Sequence, residues 1–144
     1  MKVRLATLED LPWLLEQGKK FADTMGPGFY NEEYLPKFGQ VMITQNIILV
    51  AADGDQIFGM LGAAKVPNIF NPDRISLLEV FWWVAEESRG GKAAALLLKE
   101  FVKLKDRLGA DDLILSLEAD SPIKESSLEK RGFRLREKAY VMGG

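Results

Sequence analysis

The stretch Phe81–Phe101, FWWVAEESRGGKAAALLLKEF, passes from aromatic bulk through two acids and an Arg-Gly-Gly-Lys turn into an apolar-striped helix. Upstream, Ile75–Val84 is a nearly continuous apolar run, which predicts a strand buried on both faces and therefore central. Downstream, Ala94, Leu97, Phe101, Leu104 and Leu108 fall on one helical face, with Lys99, Lys103 and Asp106 on the other. The spacing predicts a helix over about 92–108, ended by Gly109. DLILSLE, residues 112–118, then reads as a short buried strand. A strand–helix–strand unit over 75–117 predicts parallel pairing through a right-handed crossover.

The remaining segments fill in around this unit. KVRLA alternates as a half-buried strand does, and Thr7 or Asp10 offers the cap of the next helix. Leu11, Leu14, Leu15, Phe21, Ala22 and Met25 stripe that helix, and Gly26–Gly28 stops it. A loop and a second short helix follow. Ile47–Ala51 and Gln56–Val66 form a hairpin around Asp53-Gly54, with Gly59 and Gly62 marking bulges or close approach. Ser121-Pro122 opens a last helix that closes at Gly132, and FRLREKAYVM, residues 133–142, reads as a final strand. The order β-α-α-β-β-β-α-β-α-β predicts one mixed α/β domain over 1–144, its twisted central sheet covered by helices on both faces.

Composition narrows the chemistry. His and Cys are both zero, which excludes Ser-His-Asp and Cys-His nucleophile systems and thiolate or imidazole zinc sites. Any acid or base must be Asp, Glu, Tyr, Lys, a terminus or water. Net charge is −2, against the basic footprint that nonspecific nucleic-acid binding needs. No apolar run reaches the roughly 18 residues that span a bilayer, and the charged start MKVRLATLEDL lacks a signal core; a cytoplasmic protein without membrane or metal is expected.

The turn Arg89, Gly90, Gly91, Lys92, Ala93, Ala94, Ala95 sits where a helix N-terminus presents unpaired N–H groups and the positive dipole end, both suited to phosphate. Read alone, the same residues serve equally as a tight turn with small side chains for packing. A Walker A loop is excluded by Glu86 and Ala93, and no G-x-G-x-x-G occurs.

With these blocks in place the chain resembles the GNAT superfamily of acetyltransferases over essentially its whole length. The family's pattern after its fourth strand is Arg or Gln, two residues, Gly, one residue, then Gly or Ala. Arg89 holds the first place and Ala94 the last, while Lys92 replaces the middle Gly. LEKRGF, Leu128–Phe133, is similar to the family's Tyr-Glu-Lys-Leu-Gly-Phe block, and the wording around WWV and RGGKA resembles a subgroup associated with bacteriophage and prophage genes. The resemblance implies transfer of an acetyl group from acetyl-CoA to an amine by direct attack, which agrees with the missing Cys. It places the pantetheine arm along Trp82, Trp83 and Val84, the pyrophosphate on Arg89–Ala95, and the CoA arm near Ser121. It offers Glu118 or Glu79 as base, with the spacing of Glu79 to Arg89 off by about one. The Tyr that usually protonates the thiolate is Leu128 here, and Tyr140 is the substitute. Between the first two helices, Phe29, Tyr30, Glu32, Glu33 and Tyr34 would suit a cationic acceptor, or serve only as core aromatics and a solvated acidic helix start. A homodimer is a further expectation from the family. The alternative is a catalytically inactive protein of this fold that binds CoA or a partner protein; modification of a nucleic-acid base is disfavoured by the acidic balance.

Overall fold

The computed structural model describes residues 1–143. Five strands form one sheet in the order β1 (Lys2–Leu5), β2 (Ile48–Asp53), β3 (Gln56–Pro67), β4 (Ile75–Val84) and β5 (Asp112–Ile114). The first four are antiparallel neighbours, and β5 runs parallel to β4. Helices α1 (Leu11–Met25) and α2 (Tyr34–Thr44) cover one face, and α3 (Ala93–Arg107) covers the other. A short α4 (Glu125–Glu129) follows β5. This is the mixed α/β arrangement expected, with the β4-α3-β5 crossover at the β5 edge of the sheet.

Two apolar layers hold it together. On the α3 side Leu97, Phe101 and Leu104 pack on Leu49, Leu61 and Leu77, all at most 1% exposed. Period 3.6 on the helix meets period 2 on the strands, so each element buries one face. On the other side Leu14, Met42 and Ile43 close over Ile48, Val50 and Met60. Each such side chain contributes roughly 1.5–3 kcal/mol when buried.

Local chemistry sets the turns. The β2–β3 turn puts Gly54 at φ 57° as its first central residue, the place a II′ turn reserves for glycine. Helix α3 ends with Gly109 at φ 67°, Ala110 donating back to the Lys105 carbonyl at 3.0 Å. Asp10 is drawn away from capping α1. Its carboxylate instead receives Arg4 Nη1 at 2.7 Å, Arg4 Nη2 at 2.9 Å and the Thr7 N–H at 2.8 Å. This fork ties β1 to the start of α1.

Four expectations need correction. Strand β4 is interior to the sheet, yet only Leu77 in it is fully buried, because β5 pairs with no more than Ser76, Leu77 and Leu78. Strand β5 stops at Ile114, not at 118, since β4 leaves it without a partner there. The last helix begins at Glu125; Ser121 Oγ accepts the Ile123 N–H at 3.2 Å and so closes a turn rather than capping the helix. Residues 133–142 form no strand. They pass near the start of β5, where the Ser76 hydroxyl, then Arg74 and Arg136, hold the Asp112 carboxyl below its ordinary value.

The bulge in β4 positions everything that follows. Gly62 faces Phe81 and Ala63 faces Glu79, so Val80 has no partner on β3. A Cβ at Gly62 would lie 2.3 Å from the Phe81 ring, which packs flat on that glycine. Gly62→Ala is therefore expected to lower the melting temperature by displacing Phe81, at a cost of about 1–3 kcal/mol. For Asp10, the Arg4 hydrogen bonds hold the carboxyl below its ordinary value despite burial. The stability it contributes is present above the unfolded carboxylate range and is lost as pH falls through the folded value. Chemical denaturation of Asp10→Asn should show a loss of about 1–3 kcal/mol at neutral pH and a shallower acid limb than the wild type.

Candidate functional site

Two parallel strands normally continue side by side. Here β4 and β5 part after Leu78 and Ile114, and a notch opens between them. The next rung is made by a side chain: the Ser116 N–H donates to Glu79 Oε1 at 3.3 Å. Glu79 is partly buried in this notch, and burial, with a smaller push from Glu118, raises its carboxyl to about 7 against the Ser116 hydrogen bond. Glu118 is exposed on the far side. The two candidate bases thus lie close enough to interact, and Glu79 is the more buried of the two, with a value near neutral pH.

Beyond the notch, β4 leads into the glycine turn. Gly90 adopts φ 84°, a left-handed conformation that strains any other residue. Lys92 precedes α3 at φ −87° and ψ −15°, an ordinary right-handed conformation, so the replacement of glycine there carries no backbone penalty. The first bond into α3 runs from the Leu96 N–H to the Lys92 carbonyl at 3.0 Å. The N–H groups of 93–95 therefore lack an intrahelical acceptor and point, with the dipole, at the turn. Lys92 is exposed beside them. The geometry suits a diphosphate.

Arg89 does not project into that space. Its Nε donates to the Val84 carbonyl at 3.0 Å, and its guanidinium lies 4.5 Å from the centroid of the Trp83 ring. Trp83 is held in turn by Gln17 of α1, whose Oε1 accepts the indole N–H at 2.9 Å, and by Phe21 edge-on at 5.0 Å. Trp82 faces the α3 layer and Trp83 the α1/α2 layer, the opposite faces expected of strand neighbours. Val84 sits with Trp82 on the α3 side. Gln17 is only 3% exposed, and sequence reading missed it; the signal was a polar residue within the apolar stripe of α1.

The other expected residues are not all gathered here. Tyr140 is 90% exposed on the unpaired C-terminal segment. Leu128 packs against the α3-side core and anchors α4. Ser121 lies partly buried in the turn after β5, its N–H donating to the Glu118 carbonyl at 3.0 Å. Phe29 and Tyr34 are exposed, and Lys19 lies over the Tyr30 ring at 5.7 Å, so these aromatics are not core. Along the outer side of α3, Ala95, Leu96, Lys99, Val102, Lys103 and Arg131 line a groove of about 440 Å³ that begins in the first turn of the helix. Among the described residues no cluster of acids gathers that would hold a metal, and no helix is long and apolar enough to cross a membrane.

No protein-family model matches the sequence, and no match to a curated protein was found. Solved structures do match. A crystal structure named a "probable acetyltransferase" superposes with a TM-score of 0.78 at 22% identity, covering 99% of this chain and 97% of that one. A "predicted acetyltransferase with acetyl-CoA" from Clostridium acetobutylicum has a TM-score of 0.74 at 17% identity, covering 99% and 95%. The ribosomal-protein-alanine N-acetyltransferase of Brucella melitensis biovar Abortus 2308 has a TM-score of 0.69 at 14% identity over 100% of both chains.

Glu79 has a measurable consequence for stability. A folded carboxyl raised from 4.5 to about 7 holds its proton more tightly than the unfolded chain does. The stability this contributes is complete below the unfolded value and is lost as pH rises through 7. Glu79→Gln should therefore flatten the pH dependence of denaturant midpoints between about pH 5 and pH 8, and gain roughly 1–2 kcal/mol over wild type at the upper end. Superposition on these solved structures gives the chain the GNAT-like fold.

Proposed function

We propose that this protein is an acetyl-CoA-dependent N-acetyltransferase acting on a primary amine. The observation that carries the reading is Glu79, a partly buried carboxylate raised to about 7 in the notch between β4 and β5, beside the bulge at Val80. The fold it shares with solved acetyltransferases, one of them with acetyl-CoA, supports the assignment of the donor.

In this reading the N–H groups at the start of α3 receive the diphosphate of the donor, and Gly90 gives it close approach. Lys92 adds a cation at the mouth. The groove bordered by Lys99, Lys103 and Arg131 takes the phosphorylated nucleotide end. The acyl arm runs inward along β4, where the ladder is broken at Val80 and backbone groups are freed to polarise a carbonyl. The donor supplies a thioester carbonyl. Glu79 accepts the proton that the amine must shed, directly or through water. The C–N bond forms as the C–S bond breaks, and the thiolate takes a proton from solvent. That last step needs no residue, which accommodates Leu128 and the exposed Tyr140.

The test separates binding from chemistry. Glu79→Gln should bind acetyl-CoA with unchanged affinity by calorimetry while thiol release falls about 10²–10⁴-fold. The wild-type rate should rise with pH up to an apparent value near 7 and level off above it, and the variant should lose that inflection. An unaltered rate or profile in Glu79→Gln overturns its role as base. Lys99→Ala with Arg131→Ala should weaken acetyl-CoA about tenfold and leave kcat in place. If acetyl-CoA and CoA fail to shift the melting temperature of the wild type, the donor assignment is wrong.

A further inference from the structure

Resting on that reading, we infer that the acceptor is a small monoamine with an apolar, ring-sized body, seated in the pocket between α2 and the β3–β4 pair. Phe38, Met42, Ile47, Ala63, Ala64 and Val80 line a cavity of about 460 Å³, in the range that holds a small-molecule ligand. Val80 is the bulged residue of β4 and follows Glu79 in the chain, so the pocket wall and the carboxylate belong to the same break in the ladder, the carboxylate itself lying outside the pocket lining. The pocket opens on the α1/α2 face, while the glycine turn belongs to α3 on the other. Donor and acceptor thus approach the notch from opposite sides.

The lining decides the class. Its polar members are Gln45 and Lys65, and it holds no carboxylate. A polyamine or an aminoglycoside brings further cations, each needing an acid or an aromatic face once desolvated. Lys65 repels them instead. A body without charge loses nothing on entry and covers surface that is costly to leave wet: Phe38 is 39% exposed and Val80 43%. Tyr34 stacks on Phe38 with centroids 5.5 Å apart and planes at 15°, which extends the flat apolar wall beyond the pocket mouth. A planar ring has a surface to lie against there. The floor is made roomy by Ala63 and Ala64, since a larger side chain at the partly buried Ala64 would stand in the cavity.

Two measurements on the full-length protein test this. With acetyl-CoA saturating, thiol release over 2-phenylethylamine, tryptamine, spermidine, cadaverine and a lysine-containing peptide should give kcat/KM at least tenfold higher for the two aryl amines. Ala64→Leu should abolish that preference and Phe38→Ala should raise KM for 2-phenylethylamine about tenfold, with acetyl-CoA affinity unchanged in both. Phe38 is on the surface, so its variant keeps the fold if the Ala64 change does not. Calorimetric titration of 2-phenylethylamine and spermidine without any CoA reads the pocket independently of turnover. Tighter binding of the aryl amine, lost in either variant, supports the assignment even if the donor proves not to be acetyl-CoA. Faster turnover or tighter binding of spermidine, cadaverine or the peptide overturns it and leaves the transferase reading standing. An aryl-amine signal untouched by both variants overturns it too.

Discussion

One residue without a partner shapes this molecule. Val80 is inserted in β4 where β3 offers nothing opposite it. A bulge increases twist and bends the strand that carries it. Just before that point, after Leu78, β4 and β5 separate, Glu79 takes the place of a backbone rung, and β4 runs on without β5 into the glycine turn. The notch, the carboxylate in it and the pocket walled by Val80 itself all gather around this one stretch of β4. The packing of Phe81 on Gly62 fixes the break at this position, because no other residue type leaves room for the ring.

The cost of the arrangement is visible in the same residues. A carboxylate raised to about 7 opposes folding at neutral pH, and strand β4 has only one fully buried side chain. The two layers around Phe101 and Val50 offset this, since both lie on parts of the sheet that the break does not reach. Stability and the candidate chemistry are thereby segregated: β2, β3 and α3 hold the fold, and β4 beyond Leu78 is given over to the site.

How much of this could be read from the sequence depended on whether a pattern had a phase. The stripe of α3 and the Gly90 turn stand out because polar and apolar positions alternate with a definite period. Strand β4, ISLLEVFWWV, is apolar almost throughout, so a shift of one residue leaves no trace in the letters. That is why the spacing of Glu79 looked wrong by one: the missing count was Val80. Lys92 looked like a departure because the comparison was of letters, whereas its right-handed backbone shows that glycine is not required. Ser121-Pro122 carries a good helix-start signal, but the hydroxyl is consumed by a turn two residues long. The segment 133–142 has strand composition and no neighbour, and composition alone cannot supply one. The acceptor pocket was illegible for a different reason. Phe38, Ala64 and Val80 are far apart in the chain, and nothing local marks them as one surface.

The open side of β5 has a consequence for behaviour in bulk. A three-residue edge offers a foreign strand few unpaired amides, and Arg74 and Asp112 put charge at its start. The segment beside it carries Tyr140, Val141 and Met142, each at least 90% exposed. The colloidal weak point of the protein is therefore this apolar stretch rather than the sheet it accompanies.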